Sequence, residues 1–271
     1  MPLVIVPTPV GNLGDMTARG LDELRKADLI ACEDTRTSLP LLRHFGISRP
    51  LVAYHSFNEK EKAEELLSRL EGGATVVLIS DAGTPGISDP GYEIVRQCIE
   101  AGAEITVLPG ATAFVPALIL SGLPPYPFLF YGFLPDKRGE REKAILSVAS
   151  LPWTLIFYLS PHKAEKHLGH LCELLGDRSA ALVREISKIY EEARRGTLSF
   201  LIESVRDGVR GELVLVVEGA EARVLSPEIW RETARELLKE GKSPREVVKI
   251  LSGEYGLSKN EVKSFLFGEE K

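Results

Sequence analysis

Two glycine-rich loops carry residue types suited to holding a small polar ligand. Ser80-Asp81-Ala82-Gly83-Thr84-Pro85-Gly86 follows the run Thr75-Val76-Val77-Leu78-Ile79. Its glycines let backbone approach a ligand closely, and the Asp81 carboxylate can accept hydrogen bonds from a hydroxyl or ammonium group. Pro109-Gly110-Ala111-Thr112-Ala113 follows a second strand-like run and opens an apolar helix, where backbone amides can meet a carboxylate. Taken singly, each loop reads equally well as a tight turn with a cap. Two such loops on neighbouring strands point to a shared pocket. Two further loops mix charges: Glu33-Asp34-Thr35-Arg36 and Arg184-Glu185-Ile186-Ser187-Lys188. In the first, the guanidinium is able to clamp a phosphate bidentately; in the second, a carboxylate and an amine stand three positions apart. His55 and Asn58 lie on another loop of this kind. A structural ion-pair network accounts for the charged positions as well as chemistry does.

Several chemistries are excluded. No GxGxxG or GxxxxGK[ST] loop follows the first strand-like run, and Pro7 and Pro9 stand where such motifs need donating amides. There is no HExxH. Cys32, Cys98 and Cys172 are odd in number and widely spaced, against a disulfide framework or a zinc site and in favour of a reducing compartment; Cys98 reads as a small core hydrophobe. His162, His167 and His170 are close in sequence, but the last two lie on a charged helical stretch and are expected on a solvated face. A metal site on them is the less favoured reading.

The elements that must position these loops alternate. Short apolar runs at Leu3–Val6, Leu29–Cys32, Leu51–Tyr54, Thr75–Ile79 and Glu104–Leu108 read as strands, with amphipathic helical stretches between them. That rhythm predicts a mostly parallel α/β sheet, whose ligands sit at the carboxyl ends of the strands. Ser121-Gly122-Leu123-Pro124-Pro125-Tyr126-Pro127 marks a domain boundary. Beyond it, Phe128–Tyr131, Trp153–Tyr158, Ala180–Val183 and Leu213–Val217 read as strands, with helices at Arg141–Ser150, Lys163–Leu175 and Leu198–Asp207. From Ser226 the chain is helical. Ser226-Pro227 and Ser243-Pro244 open two helices, and Ser258 with Glu261 forms a capping box for a third. The expected organisation is an α/β domain over 1–120, a second over 121–225, and a helix-turn-helix-like tail over 226–271.

With 271 residues, 44% of them hydrophobic, the chain can bury two modest cores. A net charge of −6 excludes a globally basic nucleic-acid binder, although local basic surface still decides such binding. The N-terminal apolar run is too short for a signal segment and no stretch approaches a membrane span, so a cytoplasmic protein is expected. The tail from Glu228 holds nine basic and nine acidic residues. Arg235, Lys239, Lys242, Arg245 and Lys249 can form a patch across two helices, and a purely structural cap is the equal alternative.

Together the loops carry a resemblance. IVPTPVGNLGDMTARGLDELRKADLIACEDTR, then HFGI, HSFNE, SDAGTPGISDPGY, LPGATA, GFLP, TLIFY, REISK and RGELVLVVEG resemble the tetrapyrrole-methylase-like superfamily of methyltransferases, and within it the members that methylate small-subunit ribosomal RNA. The likeness runs nearly end to end. It implies two α/β domains of the tetrapyrrole methylase type with a cofactor cleft between them, a small C-terminal helical unit and a homodimer. The implied cofactor is S-adenosylmethionine, and the resemblance implies no metal. The implied reaction is 2′-O-methylation of a cytidine ribose in the decoding region of 16S rRNA, free or in the small subunit. A sister methyltransferase acting on a tetrapyrrole or diphthamide precursor, or a non-catalytic ribosome-assembly factor, are the alternatives. The resemblance places the cofactor at Thr8, Pro9, Val10, Asp81, Ala82, Gly83, Thr84, Gly110, Ala111, Thr112, Ala113 and Tyr158. For the chemistry, a ribose hydroxyl needs activation: Glu185 or Lys188 is expected to assist proton removal, Asp34 and Arg36 to position the RNA backbone, and His55 and Asn58 to orient the ribose. One departure stands out. Where relatives often read FYES before a His-Arg pair, this chain has Leu159 in place of the carboxylate.

Overall fold

The computed structural model describes residues 2–221 and 227–268. Met1–Ala149 with Trp153–Glu218 forms one compact unit, and Ser150–Pro152 with Gly219–Lys271 a second.

The first sheet of the larger unit joins β1 (Leu3–Ile5), β2 (Leu29–Cys32), β3 (Leu51–Ala53), β4 (Val76–Ile79) and β5 (Ile105–Val107) in the order β3-β2-β4-β1-β5, all parallel. Strands buried on both faces must be apolar at every position, and β1, β2 and β4 are buried throughout. Alternate residues serve opposite faces. Leu3, Ile5, Ala31, Val76 and Leu78 pack with Leu66 and Ile94, while Val4, Ile30, Cys32, Val77 and Ile79 pack with Leu24 and Leu42. Those partners belong to α1 (Ala18–Lys26), α2 (Thr35–His44), α3 (Glu59–Glu71) and α4 (Tyr92–Glu100). Helix α2 is absent from the sequence reading, which took Glu33–Arg36 as an open loop. Asp34 caps it, accepting the Arg36 N–H at 2.8 Å, and Pro40 inside it masks the helical signal.

Helix α5 (Phe114–Ser121) leads to the second sheet: β6 (Phe128–Phe133), β7 (Thr154–Leu159), β8 (Ser179–Arg184), β9 (Glu192–Thr197) and β10 (Leu213–Val217), ordered β6-β7-β10-β8-β9. Only β6 and β7 run parallel; the other pairs are antiparallel. Helices α6 (Arg138–Val148), α7 (Ala164–Leu175) and α8 (Leu198–Val205) intervene. Ala117 and Leu118 of α5 bury against Ile156, Val183, Val214 and Val216 of this sheet. The Phe114 ring stacks on Phe130 at 4.6 Å. Strand β9, Glu-Ala-Arg-Arg-Gly-Thr, has no hydrophobic signature. It is an edge strand, where charge is favoured, and Arg184 and Arg194 both pair with Glu192.

The solvated face expected for His167 and His170 is not found. His167 is buried, because on α7 it shares the inward face with Ala164, Leu168 and Leu171. Burial, then the charges of Arg141 and Lys163, push its pKa down to about 4. His170 accepts a hydrogen bond at 3.0 Å from Arg141 Nε, itself almost fully buried. His162 is exposed.

The smaller unit contains α9 (Pro227–Lys239), α10 (Pro244–Glu254) and α11 (Lys259–Phe267) around Trp230, Ala234, Val247, Leu251 and Val262. Arg231 lies over the Trp230 ring and Arg235 over Phe265. The capping box is at Ser243 and Glu246, not at Ser258 and Glu261, which shows no side-chain cap bond; Pro244 pre-sets the first turn of α10. The expected Ser226 cap lies outside the described residues.

Candidate active site

In a parallel sheet every strand delivers its following loop to the same edge. The loops after β1, β4 and β5 are laced together there. Thr8 and Gly83 exchange backbone hydrogen bonds at 2.8 and 2.9 Å. Thr8 Oγ1 donates to the Ser80 carbonyl at 3.0 Å, and Thr84 Oγ1 to the Ala111 carbonyl at 2.9 Å. Gly83 adopts φ +88°, a conformation that disfavours side chains. These bonds frame a cavity of about 450 Å³, a size typical of small-molecule sites.

Of the residues expected to hold the cofactor, Val10, Asp81, Ala82, Gly83, Thr84, Thr112, Ala113 and Tyr158 line this cavity. Thr8, Pro9, Gly110 and Ala111 do not. Thr8 is buried beneath it as a brace. Ala111 contributes the carbonyl that anchors Thr84, and a side chain on Gly110 would come within 2.6 Å of Pro7. The lining also includes Glu33, Ile87, Ser88, Asp89, Phe133, Leu159, Ser160, Pro161 and Glu212, which sequence reasoning did not place there. Asp89 is a second carboxylate of the Asp81 loop, eight positions on, in a turn whose sequence does not set it apart. Glu212 was hidden by topology. Strand β10 runs antiparallel to β7, with Leu213 opposite Leu159, so its amino end reaches the edge where parallel strands finish. Leu159, in place of a carboxylate, supplies an apolar wall.

Four carboxyl groups therefore face the cavity, and its lining among the described residues holds no Lys, Arg or His. Burial pushes Asp89 up to about 7, helped by the charges of Glu33 and Asp81 and opposed by a hydrogen bond from Ser80. Glu33 is raised by burial and then by Asp81. Asp81 is raised chiefly by burial, while its bond from the Asp34 N–H, 3.2 Å, works the other way. Tyr158 is pushed up to about 12 by burial, with Asp89 and Glu212 adding to it, so its hydroxyl remains a donor.

The four residues expected in catalysis lie outside the lining. Lys188 Nζ donates to Glu185 Oε1 at 2.9 Å and to Glu212 Oε2 at 3.1 Å; Glu185 Oε1 also accepts the Glu212 N–H at 3.0 Å. The hydrogen bond from Lys188, then that from the Glu212 backbone, lowers Glu185. Burial works against the Lys188 charge, but its bonds to the two carboxylates outweigh that and raise its pKa. Both groups thus stay charged at neutral pH, which suits a clamp better than proton removal. The loop is tightly wound, with Glu185 at φ +52° and Ser187 at φ +63°. Arg36 forks onto Asp34, with 3.1 Å from Nε to Oδ1 and 2.6 Å between Nη2 and Oδ2. The side-chain and backbone bonds from Arg36 hold Asp34 down at about 2. The Arg36 side chain is 89% exposed and open to an external anion. Asn58 closes its own loop, accepting from His55 N at 2.8 Å and donating to the Ala53 carbonyl at 3.1 Å. The His55 ring meets Phe57 edge-on at 6.0 Å, and Phe57 is 95% exposed.

A family model described as tetrapyrrole (corrin/porphyrin) methylases matches residues 2–202, and the chain belongs to that family of methyltransferases. Among curated proteins it is 42% identical over 268 residues to the ribosomal RNA small subunit methyltransferase I of Bacillus subtilis (strain 168), covering 96% of this chain and 92% of that one. It is 45% identical over 225 residues to the protein of the same name from Escherichia coli O157:H7, covering 82% and 79%. Solved structures share the fold at low identity. A diphthine synthase aligns at TM-score 0.63 and 18% identity, covering 80% of this chain and 90% of its own. A cobalt precorrin-4 methyltransferase of cobalamin biosynthesis aligns at TM-score 0.60 and 20% identity, covering 80% and 94%. Among the described residues no helix is long and apolar enough to cross a membrane.

Proposed function

We propose that this protein uses S-adenosylmethionine to methylate the 2′-oxygen of a cytidine ribose in the decoding region of small-subunit ribosomal RNA, acting in the cytoplasm as a homodimer. The observation that carries the cofactor is the sign of the cavity: four carboxyl groups, of which Glu212 alone is paired with a lysine, Lys188, and among the described residues no Lys, Arg or His in the lining. Such a lining suits a ligand with net positive charge and several hydroxyls and repels a dinucleotide or a free phosphate. When bound, the cofactor supplies a methyl group on a sulfonium to an oxygen nucleophile. Asp81 and Glu33 are suited to its hydroxyl and ammonium groups, and the Phe133 and Tyr158 rings offer faces to the base or the cation. The braced loops hold the ligand in one orientation, and positioning supplies much of the rate in group transfer.

The RNA substrate rests on the relatives' names and on exposed side chains. Arg36, Phe57 and Tyr190, in segments that follow β2, β3 and β8, are strongly exposed, and exposed aromatic and guanidinium groups are what unpaired bases and phosphates engage. Exposed Val107, Val115, Ile119 and Tyr126 offer apolar surface to a second copy.

Calorimetry with S-adenosylmethionine, followed by ribose-methylation mapping of rRNA from a deletion strain with and without this gene, tests the reading. One bound cofactor per chain and one restored 2′-O-methylcytidine are expected. Absence of cofactor binding would make the chain a non-catalytic assembly factor. Binding without rRNA methylation would move the substrate to a tetrapyrrole or diphthamide precursor.

A further inference from the structure

The cavity carboxylates are not equivalent. Asp81 is engaged by the Asp34 N–H, and Glu212 by Lys188. Asp89 faces the cavity, and the nearby Ser80 hydroxyl, which donates to the Gly83 carbonyl at 3.3 Å, works against its raised pKa. Its loop is held from both sides. Gly86 N–H donates to the Pro90 carbonyl at 3.2 Å and Ile87 N–H to the Thr84 carbonyl at 3.2 Å. The Gly91 and Glu93 N–H groups both donate to Glu59 Oε1, at 2.9 and 3.1 Å. Ser88, next to Asp89, sits at φ +64°, a costly conformation for a residue with a side chain and one concentrated at working sites. The second sheet presses on it: a side chain on Gly132 would come within 2.8 Å of Ser88 Oγ.

We propose that Asp89 is the general base of methyl transfer, a role that rests on the ribose-methylation reading above. The carboxylate takes the proton of the attacking 2′-hydroxyl as that oxygen's electron pair closes the new O–CH3 bond. The pair of the broken S–CH3 bond stays with the sulfur, which departs as a neutral thioether, and Asp89 later returns its proton to water. The acid–base groups facing Asp89 are Glu33 after β2, Asp81 after β4 and Tyr158 on β7, with the Ser80 hydroxyl nearby. Burial, and then the two carboxylates, push its pKa up to about 7, where a base combines a large ionised fraction with real proton affinity.

The test compares wild type with Asp89→Asn and Asp89→Glu, using single-turnover methyl transfer to small-subunit rRNA from pH 5.5 to 9, calorimetry with S-adenosylmethionine, and unfolding of the cofactor-free proteins against pH. The wild-type rate should rise with pH and level off above about 7. Asp89→Asn should lower transfer roughly 10²–10⁴-fold, abolish that limb and keep cofactor affinity within a few-fold. Asp89→Glu should recover part of the rate. Without cofactor, Asp89→Asn should unfold at a higher temperature than wild type at neutral pH, with the gap closing toward pH 4. A gap independent of pH, or an asparagine variant within a few-fold of wild-type transfer, overturns the assignment. A wild type that methylates no rRNA overturns the substrate reading and this role together; a methylating wild type matched by its asparagine variant removes Asp89 alone.

Discussion

Two groups of charges flank one another at this edge of the molecule and behave oppositely. In the 185–188 loop each charge has a partner: Lys188 bridges Glu185 and Glu212, so the acid is driven down and the amine up. In the cavity, Glu33, Asp81 and Asp89 are half-buried with no cation among them, and all three are driven up. The same residue type is thus made inert by pairing and responsive by burial without a partner. Charged motifs in a sequence do not reveal which of the two they are.

The contrast breaks most severely at glycine. Gly83→Val and Gly211→Val each force a β-branched residue into φ near +90°, at roughly 1–3 kcal/mol in backbone strain alone. On Gly211 the added carbon would also land on the Glu185 carboxylate. Gly83→Val should abolish S-adenosylmethionine binding by calorimetry, whereas Gly211→Val should lower the melting temperature and shift loop 185–190 into protease sensitivity. If Gly83→Val binds cofactor like wild type, the cavity is not the cofactor site.

Asp81→Asn is the next step down. Loss of one of the carboxylates that fit the cofactor should weaken its binding about 10-fold or more, near 1.4 kcal/mol, with little change in melting temperature. Lys188→Met should do the reverse, costing about 1 kcal/mol of stability and leaving cofactor affinity nearly intact. Its effect depends on pH in a defined direction. Glu185 has a lowered folded pKa, so its contribution is present at neutral pH and lost as pH falls through the acid range below 4.5. Asp89 has the opposite sign. Its raised folded pKa makes the ionised form a burden that grows between pH 4 and 7. Urea titrations at pH 4, 5.5 and 7 should therefore show Lys188→Met becoming less stable, and Asp89→Asn more stable, than wild type as pH rises.

The parallel sheet was legible because β1, β2 and β4 must be apolar at every position, and the glycine loops because their backbone needs are local. Eight of the expected cofactor positions line the cavity for that reason. What stayed hidden depends on partners distant in sequence. Strand β9 is charged because it is an edge, α2 carries an internal proline, and His167 is buried by a helical face whose polar neighbours suggested solvent. Asp89 sits in a Gly-Pro-rich turn that looks like any other turn. Only Glu33 and Asp81, delivered by β2 and β4, set it apart.

The smallest expected effect is at an exposed side chain. Arg36→Ala should leave melting temperature unchanged, since the pair with Asp34 is exposed. It should lower rRNA affinity modestly and reduce the slope of log affinity against log salt by about one.

On the proposed reading, a lining without Lys, Arg or His among the described residues also sets an order of events. An RNA strand would bring its own negative charge toward Glu33, Asp81 and Asp89, so the strand and the empty cavity would repel. A cationic cofactor would offset part of that repulsion, and the neutral product left after methyl transfer would restore it. By linkage, RNA should bind more tightly in the presence of S-adenosylmethionine than with the demethylated product, and the difference should shrink in high salt. The reaction would then loosen the enzyme's hold on its own product, a turnover device that needs no moving lid.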